Sequence, residues 1–154
     1  MQNTTQSNKF IFILFNAGRR GELTNDCRLR IDAGRRLHGQ LCYVGRDTKI
    51  MKKYFDGIHV EELNNCHDTI GNIREIKRFI EDKNNGKENS MEAIIVSNFY
   101  HLRRIELILN KFNLPAKLIS AEEILKKRKR ISLFEPLRLI YTMIRIKFSY
   151  AKLR

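Results

Sequence analysis

Phe10-Ile11-Phe12-Ile13-Leu14-Phe15 is an unbroken apolar run that stops at Asn16-Ala17-Gly18. Aromatic and β-branched side chains dominate it, and no polar residue alternates with them. Such a segment fits a strand covered on both faces, as a central strand of a parallel sheet is. A strand with one wet face would alternate, and a membrane-spanning helix would need ~20 apolar residues. The run excludes both readings for this segment, and the polar stretch before it, Met1 to Lys9, does not resemble a signal peptide.

Four later segments are weaker copies: Gln40-Leu41-Cys42-Tyr43-Val44 ending at Gly45, Gly57-Ile58-His59-Val60, Ala93-Ile94-Ile95-Val96 ending at Ser97, and Ala116-Lys117-Leu118-Ile119. Between them the apolar period changes. Ile70, Ile73, Ile76, Phe79 and Ile80 recur at helical spacing, as do Leu102, Ile105, Leu109 and Phe112. Residues 25–37 and 47–55 are less regular helices. Strand and helix in repeated alternation predict an α/β fold, a parallel sheet of about five strands with helices on both faces. Residues 82–90 are polar, with three asparagines and a glycine, which predicts a surface loop before the fourth strand.

At 154 residues the chain is the size of one domain, predicted over 9–154 after a disordered polar leader at 1–8. The final segment, about 133–152, reads as a basic amphipathic helix, with Glu135 as its cap and Pro136 at the first helical position. Leu133, Leu137, Ile140, Tyr141, Ile144 and Phe148 form its apolar stripe. That stripe is expected to complete the domain core or a dimer interface, so the chain is a monomer or a homodimer.

The formal net charge is +13, which favours anionic partners without naming them. Much of the excess lies in Lys126-Lys127-Arg128-Lys129-Arg130 and the basic residues after it. These residues and the C-terminal helix support an alternative reading, a carrier domain that binds nucleic acid or an anionic membrane surface. Cys27, Cys42 and Cys66 have no paired spacing. They suggest neither a zinc cage nor a disulfide framework, and fit reduced thiols in a cytoplasmic protein. No metal site is predicted.

In an open parallel sheet ligands bind beyond the carboxyl ends of the strands, where helix N-termini favour anions. The loop after the first strand offers Asn16, Gly18 and Arg19, and the second strand ends in Gly45-Arg46. Neither loop is a dinucleotide fingerprint or a Walker loop. The third strand leads through Glu61-Glu62 to Asp68-Thr69-Ile70-Gly71-Asn72, where Asp68 or Asn65 can cap a helix and Thr69 and Asn72 share its first-turn face. The fourth ends in Ser97-Asn98, and positions 97, 101 and 104 place a hydroxyl, the His101 imidazole and the Arg104 guanidinium on one helical stripe. Ser97, Asn98, His101 and Arg104 are therefore expected to hold an anion, with Thr69 and Asn72 orienting the rest of a small ligand. For catalysis, His101 is the candidate acid or base and Glu62 the second, in group or phosphoryl transfer.

These stretches are also where the chain resembles the YdcF-like family, which includes SanA and ElyC. The resemblance spans roughly Phe10 to Tyr141 and rests on Arg30-Ile31-Asp32-Ala33-Gly34, Tyr43-Val44-Gly45, Asp68-Thr69-Ile70-Gly71-Asn72, Val96-Ser97-Asn98-Phe99-Tyr100-His101-Leu102-Arg103-Arg104 and Phe134-Glu135. It implies a three-layer, Rossmann-like fold with a polar pocket above the strand ends. The matching pocket residues are Arg30, Glu62, Thr69, Asn72, Ser97, His101, Arg104 and Glu135. Where the family has richer glycine loops, this chain has Arg19 and Arg46, a more cationic mouth. Envelope members carry an N-terminal membrane segment, which is not seen here, so the resemblance points to the soluble branch and to S-adenosylmethionine as candidate ligand.

Overall fold

A computed structural model describes residues 9–14, 23–45, 61–63, 68–84, 91–129 and 131–151. The leader, the helix predicted at 47–55, the strand predicted at 57–60, and candidate ligand residues Asn16, Gly18, Arg19 and Arg46 lie outside the described residues, as does the side chain of Glu62. Five strands, β1 (Lys9–Leu14), β2 (Gln40–Val44), β3 (Glu61–Leu63), β4 (Glu92–Ser97) and β5 (Lys117–Ser120), form one sheet in the order β3-β2-β1-β4-β5. All four pairings are parallel. The α/β architecture read from the sequence is the one observed.

The central position of β1 explains its composition. Phe10, Phe12 and Leu14 point to one face, where they pack with Ile73 and Ile76 of α2 (Thr69–Asn84) and Ile105 and Ile108 of α3 (Phe99–Phe112). Ile11 and Ile13 point to the other and pack with Cys27 and Ile31 of α1 (Asn25–Gly34) and Ala121 of the one-turn α4 (Ala121–Ile124). Each face of the strand has its own apolar core, so alternation would have put a polar group in one of them. Gly34 lets α1 approach the sheet closely: a Cβ there would stand 2.6 Å from Cδ1 of Ile13, which would have to shift.

Order in the sheet also sets where loops separate. From β1 the chain moves outward through β2 to β3, then crosses back over β1 to β4 and β5. The carboxyl ends of β1 and β4 therefore flank the switch point, the place where an open sheet of this kind leaves a crevice.

The last helix is α5 (Glu135–Ala151). Of the two places expected for its stripe, the domain core or a dimer interface, the core is not the one observed: Leu137, Ile140, Tyr141, Ile144 and Phe148 are exposed, and Leu133 before them is 88 % exposed. Burial falls instead on Glu135, Thr142 and Ile146, with Leu139 half-buried between them. Ile146 joins the core cluster that contains Ile105 and Ile108. The helix is apolar on two sides, and α3 takes the narrower one. Among the described residues no helix is long and apolar enough to cross a membrane.

Candidate functional site

The switch point is filled by the chain itself. Arg30, on the inner side of α1, donates from Nε to Oδ1 of Asn98 at 2.5 Å and from Nη1 to the Leu14 carbonyl at 2.8 Å. One planar guanidinium thus ties the end of β1 to the residue after β4. Asn98 precedes α3, yet its side chain does not cap that helix. The α3 N-terminus is served from another element: Glu122 accepts the Phe99 N–H at 2.9 Å, the Ser120 hydroxyl at 2.8 Å and the Asn98 amide at 3.4 Å. A buried carboxylate with three donors sits where the helix dipole most favours negative charge. Glu122 thus occupies the N-terminus of α3.

Next to this network α2 and α3 meet at their first turns. Asp68 caps α2 by accepting the Gly71 N–H at 2.7 Å, and Thr69 follows. The Thr69 hydroxyl lies 3.2 Å from Nε2 of His101, and the Ser97 hydroxyl 3.0 Å from its Nδ1. The segments around residues 69 and 101 therefore open at the same rim, as the sequence spacing required. Burial, reinforced by Arg30, Arg104 and Arg138, holds His101 well below the ordinary imidazole range. A neutral ring has one donor and one acceptor nitrogen, so one of the two hydroxyls donates to it and the other accepts. The three side chains form a line along which a proton can be passed without charging the interior.

Farther along α3 the satisfaction stops. Nε of Arg104 lies 3.2 Å from Oε1 of Glu135, but the two are misaligned. Arg104 Nε, both Glu135 oxygens and Asn72 Oδ1 are all buried without a hydrogen-bond partner. Burial pushes the Glu135 carboxyl up and the Arg104 guanidinium down, each against the attraction of the other. Desolvation outweighs their pairing, as is common for a buried ion pair, and Arg138 adds a longer contact to Glu135 at 3.9 Å. With Phe99, Tyr100, Pro136 and Leu139 the pair lines a pocket of about 290 Å³.

A second ion pair fixes α5 over this region. Arg145 bonds the Asp68 carboxylate. Burial alone would raise that acid, but the Gly71 N–H and the cations Arg145 and Arg74 together hold it below its usual range. Tyr100 reaches back to Asp26 of α1 at 2.6 Å, and burial first, then this carboxylate, pushes the phenol up to about 12.

The structure thus brings together Arg30, Thr69, Ser97, Asn98, His101, Arg104 and Glu135, and places Gly45 directly after β2, its N–H on the Leu63 carbonyl at 3.2 Å. Arg30, Ser97 and Asn98 are buried and bonded within the chain; Arg104 and Glu135 face a cavity. Sequence reasoning missed Glu122 and Ser120. Their signal was Ser120-Ala121-Glu122-Glu123 directly after a strand, the pattern of a capped helix start, in which Ser120 accepts the Glu123 N–H. No family model, curated protein or solved structure matches the chain.

Proposed function

We propose that the chain is a YdcF-like, cytoplasmic small-ligand-binding protein whose site lies at the carboxyl ends of the parallel strands. Its fold is then the three-layer Rossmann-like one, and its ligand nucleotide-like or phosphorylated. The observation that carries this reading is a pocket lined by Arg104 and Glu135, whose buried Nε, Oε1 and Oε2 make no hydrogen bond. Leaving a buried polar group unpaired costs about 1–3 kcal/mol, more when it is charged, so a ligand that pairs with these atoms recovers that energy on binding.

Their chemistry narrows the ligand. Two of these three atoms are acceptors and one is a guanidinium donor. A molecule with hydroxyl or ammonium donors near an anionic group meets both demands, and S-adenosylmethionine has ribose hydroxyls, an ammonium and a carboxylate. Nucleotides offer the hydroxyls and phosphate. His101, held neutral, suits the role of proton acceptor through the Thr69 or Ser97 hydroxyl, so group or phosphoryl transfer would use it as base. The buried thiols of Cys27 and Cys42 fit a reducing compartment, and burial followed by the Glu61 charge pushes Cys42 up to about 12, an inert thiol.

Thermal shifts with S-adenosylmethionine, its demethylated product, nucleotides and phosphorylated sugars test the reading on wild type and on Arg104→Ala. Ligand at ~100 times its dissociation constant adds about 2.7 kcal/mol, which raises the melting temperature by roughly 5–10 °C. Each protein is compared with its own ligand-free baseline. A shift that survives undiminished in Arg104→Ala, or no shift with any of these compounds, overturns the proposal.

A further inference from the structure

Beyond the rim ligand, the outer side of α5 carries a separate function. Leu137, Ile140, Tyr141, Ile144 and Phe148 fall at i, i+3, i+4, i+7 and i+11 and are all exposed, while Glu135, Leu139, Thr142 and Ile146 lie on the opposite side against the domain. Just before the helix, Ile131, Leu133 and Phe134 are exposed as well. Nine of the ten large apolar side chains exposed among the described residues belong to this one stretch. A soluble domain scatters such residues singly; a contiguous row of them marks a docking surface.

Charge decides what docks. Residues 126–154 hold ten basic side chains and one acidic, Glu135, and carry nine of the net thirteen positive charges. Glu135 is buried, so the surface here is cationic. Arg138, which is 3.9 Å from Glu135, flanks the apolar row on one side of the helix next to the Asp68-bound Arg145, and Lys147 flanks it on the other; Lys127, Arg128 and Lys129, earlier in the chain, are exposed and line a cavity with Arg28 and Asp32 of α1. Apolar side chains between two cationic margins are the pattern of a helix lying in the plane of an anionic lipid interface, with the bases reaching up to the headgroups. A nucleic acid would engage the cations and leave the apolar row wet. A second copy of the chain would set the same cations against each other.

We propose that α5 and the basic segment before it seat the domain on an anionic phospholipid surface, apolar row inward. Co-sedimentation of the full chain with vesicles tests this, using equimolar phosphatidylglycerol and phosphatidylcholine against phosphatidylcholine alone. Binding is expected to the anionic vesicles only and to weaken as salt is raised. Leu137→Glu with Ile144→Glu, both solvent-exposed in the fold, should weaken partitioning at least ~30-fold without lowering the melting temperature.

Absence of sedimentation with anionic vesicles at low salt overturns the proposal, as does undiminished binding by the double variant. A dimer in solution that the double variant dissociates, without vesicle binding, would make the row an interface between copies instead. Salt-sensitive binding to a single-stranded RNA, unchanged in the double variant and without vesicle binding, would make the surface a nucleic-acid site. Failure here leaves the rim ligand reading intact, because no residue substituted lines the Arg104 pocket.

Discussion

Between β1 and β4 the chain buries Arg30, Asn98 and Glu122 and bonds each of them to its neighbours, whereas on the outer side of α5 it leaves Leu137, Ile140 and Phe148 in solvent. The two regions break the usual partition in opposite directions. At the switch point the departure is compensated inside the molecule: every one of those three polar side chains has a partner, so the fold keeps them. On α5 none of the described residues covers the apolar row, so nothing described in the fold compensates it. A buried polar group with partners belongs to the structure, and an exposed apolar row without cover belongs to an interaction.

Substitution at the switch point should break the first half of that contrast most severely. Glu122→Leu removes the acceptor for Phe99, Ser120 and Asn98 at once and is expected to cost ~3–5 kcal/mol, read by urea denaturation. A loss below 1 kcal/mol would mean that the network does not hold the fold.

The pH dependence of stability sharpens it further. His101 is depressed below its unfolded value, so the unfolded chain takes up the proton first as pH falls. Its contribution is intact above pH ~6.5 and is lost below it, by up to about 1.4 kcal/mol per pH unit until the folded-state value is reached. His101→Gln should remove that slope below about pH 6.5. A wild-type curve and a variant curve that run parallel there would show that His101 is not held neutral.

The smallest effect is expected on α5. Ile140→Ser, on the exposed row, should change stability by no more than ~0.5 kcal/mol, because no transfer from water is undone. A cost near 2 kcal/mol in denaturant titration would mean that the side chain is covered in solution and would erase the contrast between the two regions.

Much of the fold was legible because β1, β2 and β4 are covered on both faces and must be apolar throughout. The third strand was not. Glu61-Glu62-Leu63 is an edge strand, and Glu61 meets Lys83 at 3.6 Å and Gln40 at 3.4 Å at the border of the sheet. An edge can be charged, so a search for apolar runs passes over it. Within the site, Thr69, Ser97, His101 and Arg104 were recoverable from helical spacing alone, since Ser97 to Arg104 lie on one stripe. Glu122 was harder to see: the local pattern marks a capped helix start, but two of its three partners are 23 and 24 residues away and no local period connects them.

Sequence by itself determined that residues 10–14 lie inside a parallel sheet, that the helices after β3 and β4 open with polar first turns, and that α5 is amphipathic and basic. Which side of α5 faces inward was decided only in three dimensions. The pattern holds two apolar stripes, and the wider one, from Leu137 to Phe148, is the better core candidate by hydropathy. The inward side is the one that sets Ile146 against Ile105 and Ile108 and lets Arg145 bond Asp68. Contacts with distant partners set the rotation of a helix, and no periodicity within the helix records where those partners stand.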